Sequence, residues 1–330
     1  MRAPAFWDGP PGHPAARLLA PLGALYGSRT AARMDRPGQI PPCPVLCVGN
    51  FTLGGAGKTP TALALSTHLR DLGGRPAFLT RGYGGRLAGP VRVDPERHGA
   101  DEAGDEPLLL ARAAPTILAR DRVDGARLCV EAGADCIVMD DGLQNPSLTK
   151  TLALAVVDAG AGLGNGRCFP AGPLRAPLAR QWPHVLGLVL IGSGAKGERV
   201  AEDAARRGLP VHRARLVPGA DVAGRRVLAF AGIGRPAKFF ETLREAGAEV
   251  VATRAFPDHH PYAAADTARL AAEAERLGAD LVTTQKDHVR LAPAFAGRVS
   301  VLPVTLAFAD AGPLRAQLRG LLALRPGGEP

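Results

Sequence analysis

The run Gly49-Asn-Phe-Thr-Leu-Gly-Gly-Ala-Gly-Lys-Thr-Pro60 gathers closely spaced glycines, a lysine and a threonine. Gly54, Gly55 and Gly57 carry no Cβ, so the backbone there can bend and come close to phosphate oxygens. Successive N–H groups and a helix N-terminus would add positive potential. In such a loop Thr52, Leu53 and Ala56 would line the nucleotide with the glycines. Lys58 would reach the β- and γ-phosphates of ATP, and the Thr59 hydroxyl would complete a Mg²⁺ shell. The pattern departs from G-x-x-x-x-G-K-[ST] at Thr52, so the match is to its inner Gly-Gly-x-Gly-Lys-Thr. The chain has 5 lysines among 40 basic residues, and one of them stands where a slim point charge is needed. A second constellation, Cys136-Ile-Val-Met-Asp-Asp-Gly-Leu-Gln144, ends an apolar run in two carboxylates. Asp140 and Asp141 repel each other unless a cation sits between them, which suits a strand end beside Mg²⁺.

Such a loop must follow a strand and open a helix. Apolar runs at 44–49, 76–80, 115–118, 135–139, 152–157 and 185–191 read as buried strands, and 59–72, 107–112 and 121–132 as helices. Alternating strands and helices predict a mostly parallel sheet covered on both faces, with strand carboxyl ends along one edge. A turn-rich basic stretch, 192–224, then leads to a second α/β region with strands near 227–230, 249–252, 281–284 and 299–304. The expected architecture is α/β: a P-loop NTPase core over 36–220, a smaller α/β second lobe over 221–330, and an amphipathic N-terminal helix over 1–35.

Composition bounds the partners. With 46% hydrophobic and 22% charged residues in 330, the chain is no disordered polymer, collagen or polytopic membrane protein. A formal charge of +9 favours an anionic partner such as a nucleotide, a nucleic acid or an acidic membrane surface. Only 5% of residues are aromatic, and no helix-turn-helix, zinc or stacking motif occurs, so no nucleic-acid partner is expected. The 5 cysteines form no CxxC pair and read as reduced, buried thiols. Residues 1–34 lack the pattern of a signal peptide. Residues 18–28 carry no charge, are too few to span a bilayer, and are flanked by Arg17, Arg29 and Arg33. They fit either an interfacial helix on an anionic membrane or an ordinary amphipathic helix packed on the core, weakened by Pro21 and Gly23.

Taken in order, these stretches resemble the tetraacyldisaccharide 4'-kinases, the lipid A 4'-kinases of Gram-negative bacteria. The resemblance is carried by 48–60, Thr80-Arg-Gly-Tyr-Gly84, Gly104-Asp-Glu-Pro-Leu-Leu-Leu110, Asp140-Asp-Gly-Leu-Gln144 and Gly164-Asn-Gly166 with Pro170-Ala-Gly-Pro-Leu-Arg175. Further on it continues in Phe230-Ala-Gly-Ile233, Phe256-Pro-Asp-His259 and Thr283-Thr-Gln-Lys-Asp287. It implies ATP-dependent phosphorylation of the 4'-hydroxyl of a lipid A disaccharide 1-phosphate. It also implies attachment to the cytoplasmic face of the inner membrane, which favours the interfacial helix, and no obligate protein partner is evident. Asn145, Ala176 and Gln285 depart from the family's usual His, Glu and Glu, and Ala176 removes an acidic contact expected near nucleotide or metal.

By that resemblance Asp105 is the base, which by sequence alone reads equally as a helix N-cap. His259 pairs with it, although spacing alone does not separate His259 from His260. The two lie in different lobes, so closure is expected to assemble them. Glu106, Asp140 and Asp141 join Thr59 as metal candidates. Arg81, Arg120 and Gln144 are candidates for nucleotide or phosphate contacts, and Lys286 for either nucleotide or Asp287. Two other functions fit the loop: a membrane-associated switch ATPase, disfavoured by Leu53 where such proteins carry Lys, and a soluble nucleoside or sugar kinase, disfavoured by the N-terminus.

Overall fold

The computed structural model describes residues 4–10 and 12–325; expectations for the remaining residues lie outside it. The strands in chain order are β1 (Val45–Gly49), β2 (Pro76–Thr80), β3 (Val91–Arg92), β4 (Thr116–Leu118), β5 (Cys136–Asp140), β6 (Leu152–Asp158), β7 (Gly187–Ile191) and β8 (Val211–Pro218). They continue with β9 (Arg226–Ala231), β10 (Glu249–Ala255), β11 (Asp280–Thr284), β12 (Val299–Leu302) and β13 (Val304–Phe308). Among the described residues the large sheet runs β13-β8-β7-β6-β1-β5-β2-β4-β3 and the small one β10-β9-β11-β12. The large sheet is parallel except where β13 meets β8 and β3 meets β4. The small sheet is parallel throughout.

The central strands are continuous apolar runs because helices cover both faces. In β1 the side chains alternate between two cores: Val45 and Cys47 join one with Leu79 and Met139, while Leu46 and Val48 join the other with Leu65 and Phe78. β1 lies between β5 and β6. The segments leaving β1 and β5 therefore emerge together at the carboxyl edge, where open α/β sheets place ligands.

Three expectations need correcting. The stretch 192–224 is no linker: it forms a helix (Ala195–Arg206) and β8, which pairs with β7 and widens the core sheet. The apolar run 299–304 splits between two sheets, since β12 pairs with β11 whereas β13 returns to β8. The last helix (Gly312–Ala323) follows β13 and buries Leu314, Leu318, Leu321 and Leu322 in the core around Leu65 and Leu69. The second lobe is thus β9–β12 with their helices, and the chain beyond 304 belongs to the first.

The third concerns the N-terminus, where a short helix (Pro14–Leu18) precedes a longer one (Ala20–Met34). Pro21 stands in the first turn, where a missing N–H costs nothing, so it does not weaken the helix. Gly23 and Gly27 lie against the loop at Cys168. A Cβ on Gly27 would sit 2.7 Å from Cys168 Sγ, so only glycine permits this approach. The opposite side leaves Leu18, Leu22 and Leu25 exposed at 81%, 56% and 51%. The cysteines are free; four are buried and Cys168 is half-buried. Burial pushes the thiols of Cys43 and Cys129 up to about 12, which leaves them unreactive at neutral pH.

Candidate active site

The loop between β1 and the following helix (Lys58–Asp71) turns on Gly54 and Gly57, at φ 103° and 91°. A Cβ on Gly54 or Gly55 would meet nothing within 4 Å, so these residues face an open cradle. The helix starts at Lys58, and its first N–H groups have no intrahelical acceptor. The Lys58 side chain is only 12% exposed: it stays inside the loop, donating to Asn50 Oδ1 at 3.3 Å, with Asp141 Oδ1 at 3.8 Å. Thr59 stands next to it at the head of the helix, half-buried.

The root of the loop is laced to the segment 168–176. Leu53 N–H donates to Pro173 O (2.7 Å) and Arg175 N–H to Phe51 O (2.9 Å). Arg175 Nε donates to Thr52 O at 2.9 Å, and its Nη2 donates to Asp141 Oδ2 at 2.9 Å. Thr52 and Leu53 therefore anchor the loop with their backbone. Gln144 is buried beneath it and donates to Asn50 O at 2.8 Å, so it supports the cradle from below.

Asp140 ends β5, 2% exposed, with Oδ1 buried and without a hydrogen-bond partner. Burial, reinforced by Glu106 and Asp141, pushes its carboxyl up to about 7. Burial acts the same way on Asp141, but Lys58 and Arg175 outweigh it and hold that carboxyl below its ordinary value. Arg122, buried nearby, is pushed down to about 10 by burial against the pull of Asp140 and Asp141. Among the described residues no three His, Cys, Asp or Glu side chains form a metal cage by themselves. The orphaned Asp140 oxygen and the Thr59 hydroxyl are hard donors that fit Mg²⁺ once phosphate oxygens and water complete its shell.

Asp105 opens a helix (Asp105–Ala111) and is 3% exposed. Its Oδ2 lies 3.1 Å from His259 Nδ1, 3.5 Å from Arg290 Nε and 3.9 Å from Lys286 Nζ. Burial raises its carboxyl, but His259, Lys286 and Arg290 together hold it below the ordinary range. His259 follows β10 in a left-handed conformation, φ 59°, with its N–H on Gly232 O. That strained turn aims its ring at the first lobe, beside Tyr83. His260 turns away: it stacks on Phe256 and contacts Asp266 at 2.9 Å, at the start of the helix Ala264–Leu277.

Lys286 does not pair with Asp287. Its Nζ sits 3.3 Å from Glu106 and 3.9 Å from Asp258. Burial disfavours its charge, yet Glu106, Asp105 and Asp258 raise its pKa overall. Asp287 is taken up by Gly232 N–H, Tyr262, Thr284 and Arg290, which also fixes Arg290 beneath Asp105. Arg81 is exposed on the loop after β2, and Arg120 is exposed with Nη2 donating to Arg86 O. Of the departures, Ala176 is fully buried, Asn145 accepts from Ser147 N–H within its own turn, and Gln285 opens the short helix Gln285–His288. The sequence reading missed Asn50, Arg122, Arg175, Gln181 and Arg290. Arg175 lies in a stretch already singled out, whereas nothing near Gln181 or Arg290 signals their use.

Comparison with known proteins identifies the family. The family model for tetraacyldisaccharide-1-P 4'-kinase, LpxK, matches residues 15–323. A tetraacyldisaccharide 4'-kinase of Methylorubrum extorquens (strain PA1) is 72% identical, covering 96% of this chain and 98% of its own. One from Rhodopseudomonas palustris (strain BisB5) is 54% identical over 96% and 95%. The crystal structure of LpxK from Aquifex aeolicus in complex with ATP superposes with a TM-score of 0.73 at 25% identity, covering 93% of this chain and 99% of that one.

Proposed function

The chain belongs to the tetraacyldisaccharide-1-P 4'-kinase family, and on that premise we propose how its own residues perform the reaction. The reaction is ATP-dependent phosphorylation of the 4'-hydroxyl of the tetraacyldisaccharide 1-phosphate in lipid A biosynthesis. ATP lies with its phosphates in the loop Gly54–Thr59, and Lys58 neutralises the terminal phosphoryl oxygens. Thr59 and Asp140, with Asp141 and Glu106 beside them, would hold Mg²⁺, which would supply charge neutralisation on those oxygens. Arg81 and Arg120, exposed on loops, are candidates to meet phosphate, Arg120 by giving up its contact with Arg86 O.

Asp105 accepts the proton of the 4'-hydroxyl. Because its pKa is depressed, it is a carboxylate at neutral pH; a weak base suffices where bond cleavage to the leaving group runs ahead of proton transfer. His259 orients that carboxylate, and Lys286 and Arg290 hold it ionised. These partners come from the second lobe, so approach of the two lobes would assemble the pair.

The acceptor keeps its acyl chains in a bilayer, so the enzyme must sit on one. The exposed Leu18, Leu22 and Leu25, fringed by Arg17, Arg29 and Arg33, support docking of the N-terminal helices on an anionic membrane surface. None of the described helices is long and apolar enough to cross a membrane. We place the enzyme at the cytoplasmic face of the inner membrane, where ATP is available.

The observation that carries the mechanism is Lys58 held inside the loop between Asn50 and Asp141. The test is mass spectrometry of the lipid after incubation with ATP and Mg²⁺. Wild type should add one phosphate, and Lys58→Ala and Asp105→Ala should each cut the rate by about 10³-fold or more. Near-wild-type turnover by Asp105→Ala would remove it as the base. Free phosphate released from ATP with no mass gained by the lipid would point instead to a switch ATPase.

A further inference from the structure

The loop's root depends on a side chain that no motif contains. Gln181 ends a four-residue helix (Leu178–Gln181) and is completely buried. Its Nε2 donates to Phe51 O at 3.2 Å and to Ala176 O at 2.6 Å, while its Oε1 accepts from Gln144 Nε2 at 2.9 Å. Gln144 in turn donates to Asn50 O, so two amides meet the carbonyls of successive loop residues. The next residue, Trp182, packs its ring edge-on to Phe51 with centroids 4.7 Å apart. Arg175 Nε completes the row on Thr52 O.

Carbonyl and following N–H point opposite ways across a trans peptide. Pinning the carbonyls of Asn50, Phe51 and Thr52 therefore fixes the peptide planes from which the glycine turn begins. A buried amide that loses its partner carries the full desolvation penalty, so these contacts are not exchanged for water. Ala176, itself fully buried, takes part only through its backbone carbonyl, which accepts from the Gln181 amide.

We propose that Gln181 is a positioning residue for ATP, acting through Gln144 and the carbonyls of Asn50 and Phe51 to hold the phosphate loop in its binding shape. This rests on the loop being the ATP cradle. The experiment measures kcat, KM for ATP, KM for the lipid acceptor and thermal midpoints for Gln181→Met, Gln144→Met and the double variant. Gln181→Met is expected to raise KM for ATP by about 10-fold, with kcat changed less than ~3-fold and acceptor KM unaltered. Because the two amides form one unit, the double variant should exceed the worse single by no more than ~2-fold. A lowered midpoint with unchanged KM for ATP would reduce Gln181 to a packing role and overturn the proposal, as would multiplicative effects in the double variant. Should Gln181→Met not fold, Gln144→Met, which frees the Asn50 carbonyl directly, must show the same rise in KM. Lys58→Ala is the control: if it leaves ATP binding intact, the cradle itself is misassigned; if it abolishes binding while Gln181→Met does not change it, only the present proposal fails.

Discussion

Two adjacent histidines at 259 and 260 do different work because one backbone turn separates them. The left-handed φ at His259 sends its ring to Asp105, while His260 stays in its own lobe on Phe256 and Asp266. His259→Ala is expected to lower kcat by about 10–100-fold, since the carboxylate loses its orienting partner but not its charge. His260→Ala should leave kcat within ~3-fold and cost about 1 kcal/mol of stability through the lost Asp266 contact. Steady-state kinetics and thermal unfolding of both variants test this; the reverse order would mean the wrong imidazole has been assigned. Sequence spacing could not make this distinction, because it is made by a φ angle and by what each ring meets. The chemistry of Lys58, by contrast, was legible in place, because loop, glycines and helix start are all within a few residues of one another.

Among the elements, the segment 168–176 matters most to the nucleotide loop. One side is hydrogen-bonded to Phe51 and Leu53, and the other is packed on the N-terminal helix, with Trp7 Nε1 donating to Pro170 O and Tyr26 against Phe169. The small residues Gly23 and Gly27 face this segment, which leaves the leucines outward. Each buried leucine contributes about 1.5–3 kcal/mol to partition. Leu22→Asp with Leu25→Asp should therefore reduce sedimentation with vesicles containing anionic phospholipid by more than ~10-fold. Thermal stability should change little, because both side chains are already exposed. Undiminished vesicle binding would exclude this face as the membrane contact. The sequence marked an uncharged stretch; which side of it faces out was decided by the packing against Cys168.

At the scale of the molecule, the lobes meet through ion pairs in two places among the described residues. One is the Asp105 cluster. The other lies at the end of β6, where Asp158 pairs with Arg235 at 2.8 Å and Lys238 at 2.9 Å, at the start of the helix Pro236–Glu245. Burial raises the Asp158 carboxyl, but Lys238 and Arg235 outweigh it and depress its pKa. The linkage has a definite sign: this contribution is complete above the ordinary carboxylate pKa of about 4 and is lost as pH falls through the depressed value. Asp158→Asn should thus destabilise the protein at pH 6–8 and narrow its gap from wild type as pH drops below about 4. It should also raise KM for ATP and acceptor together if the contact holds the lobes closed. A stability gap independent of pH would show that the charge of Asp158 contributes nothing.

Sequence alone determined what depends on neighbours along the chain: the alternation of buried strands with helices, the glycine turn before Lys58, the paired carboxylates ending β5, and the uncharged N-terminal stretch. These follow from local sterics and from the period of apolar residues. Tertiary structure alone decided what depends on groups far apart in the chain. It carried β13 and the last helix back to the core rather than leaving them with β12. It set His259, Lys286 and Arg290 around Asp105, and it seated Gln181 under Phe51. The physical reason is that partner choice for an edge strand, a buried amide or a carboxylate is settled by which surfaces burial brings together, and a linear pattern holds no record of that.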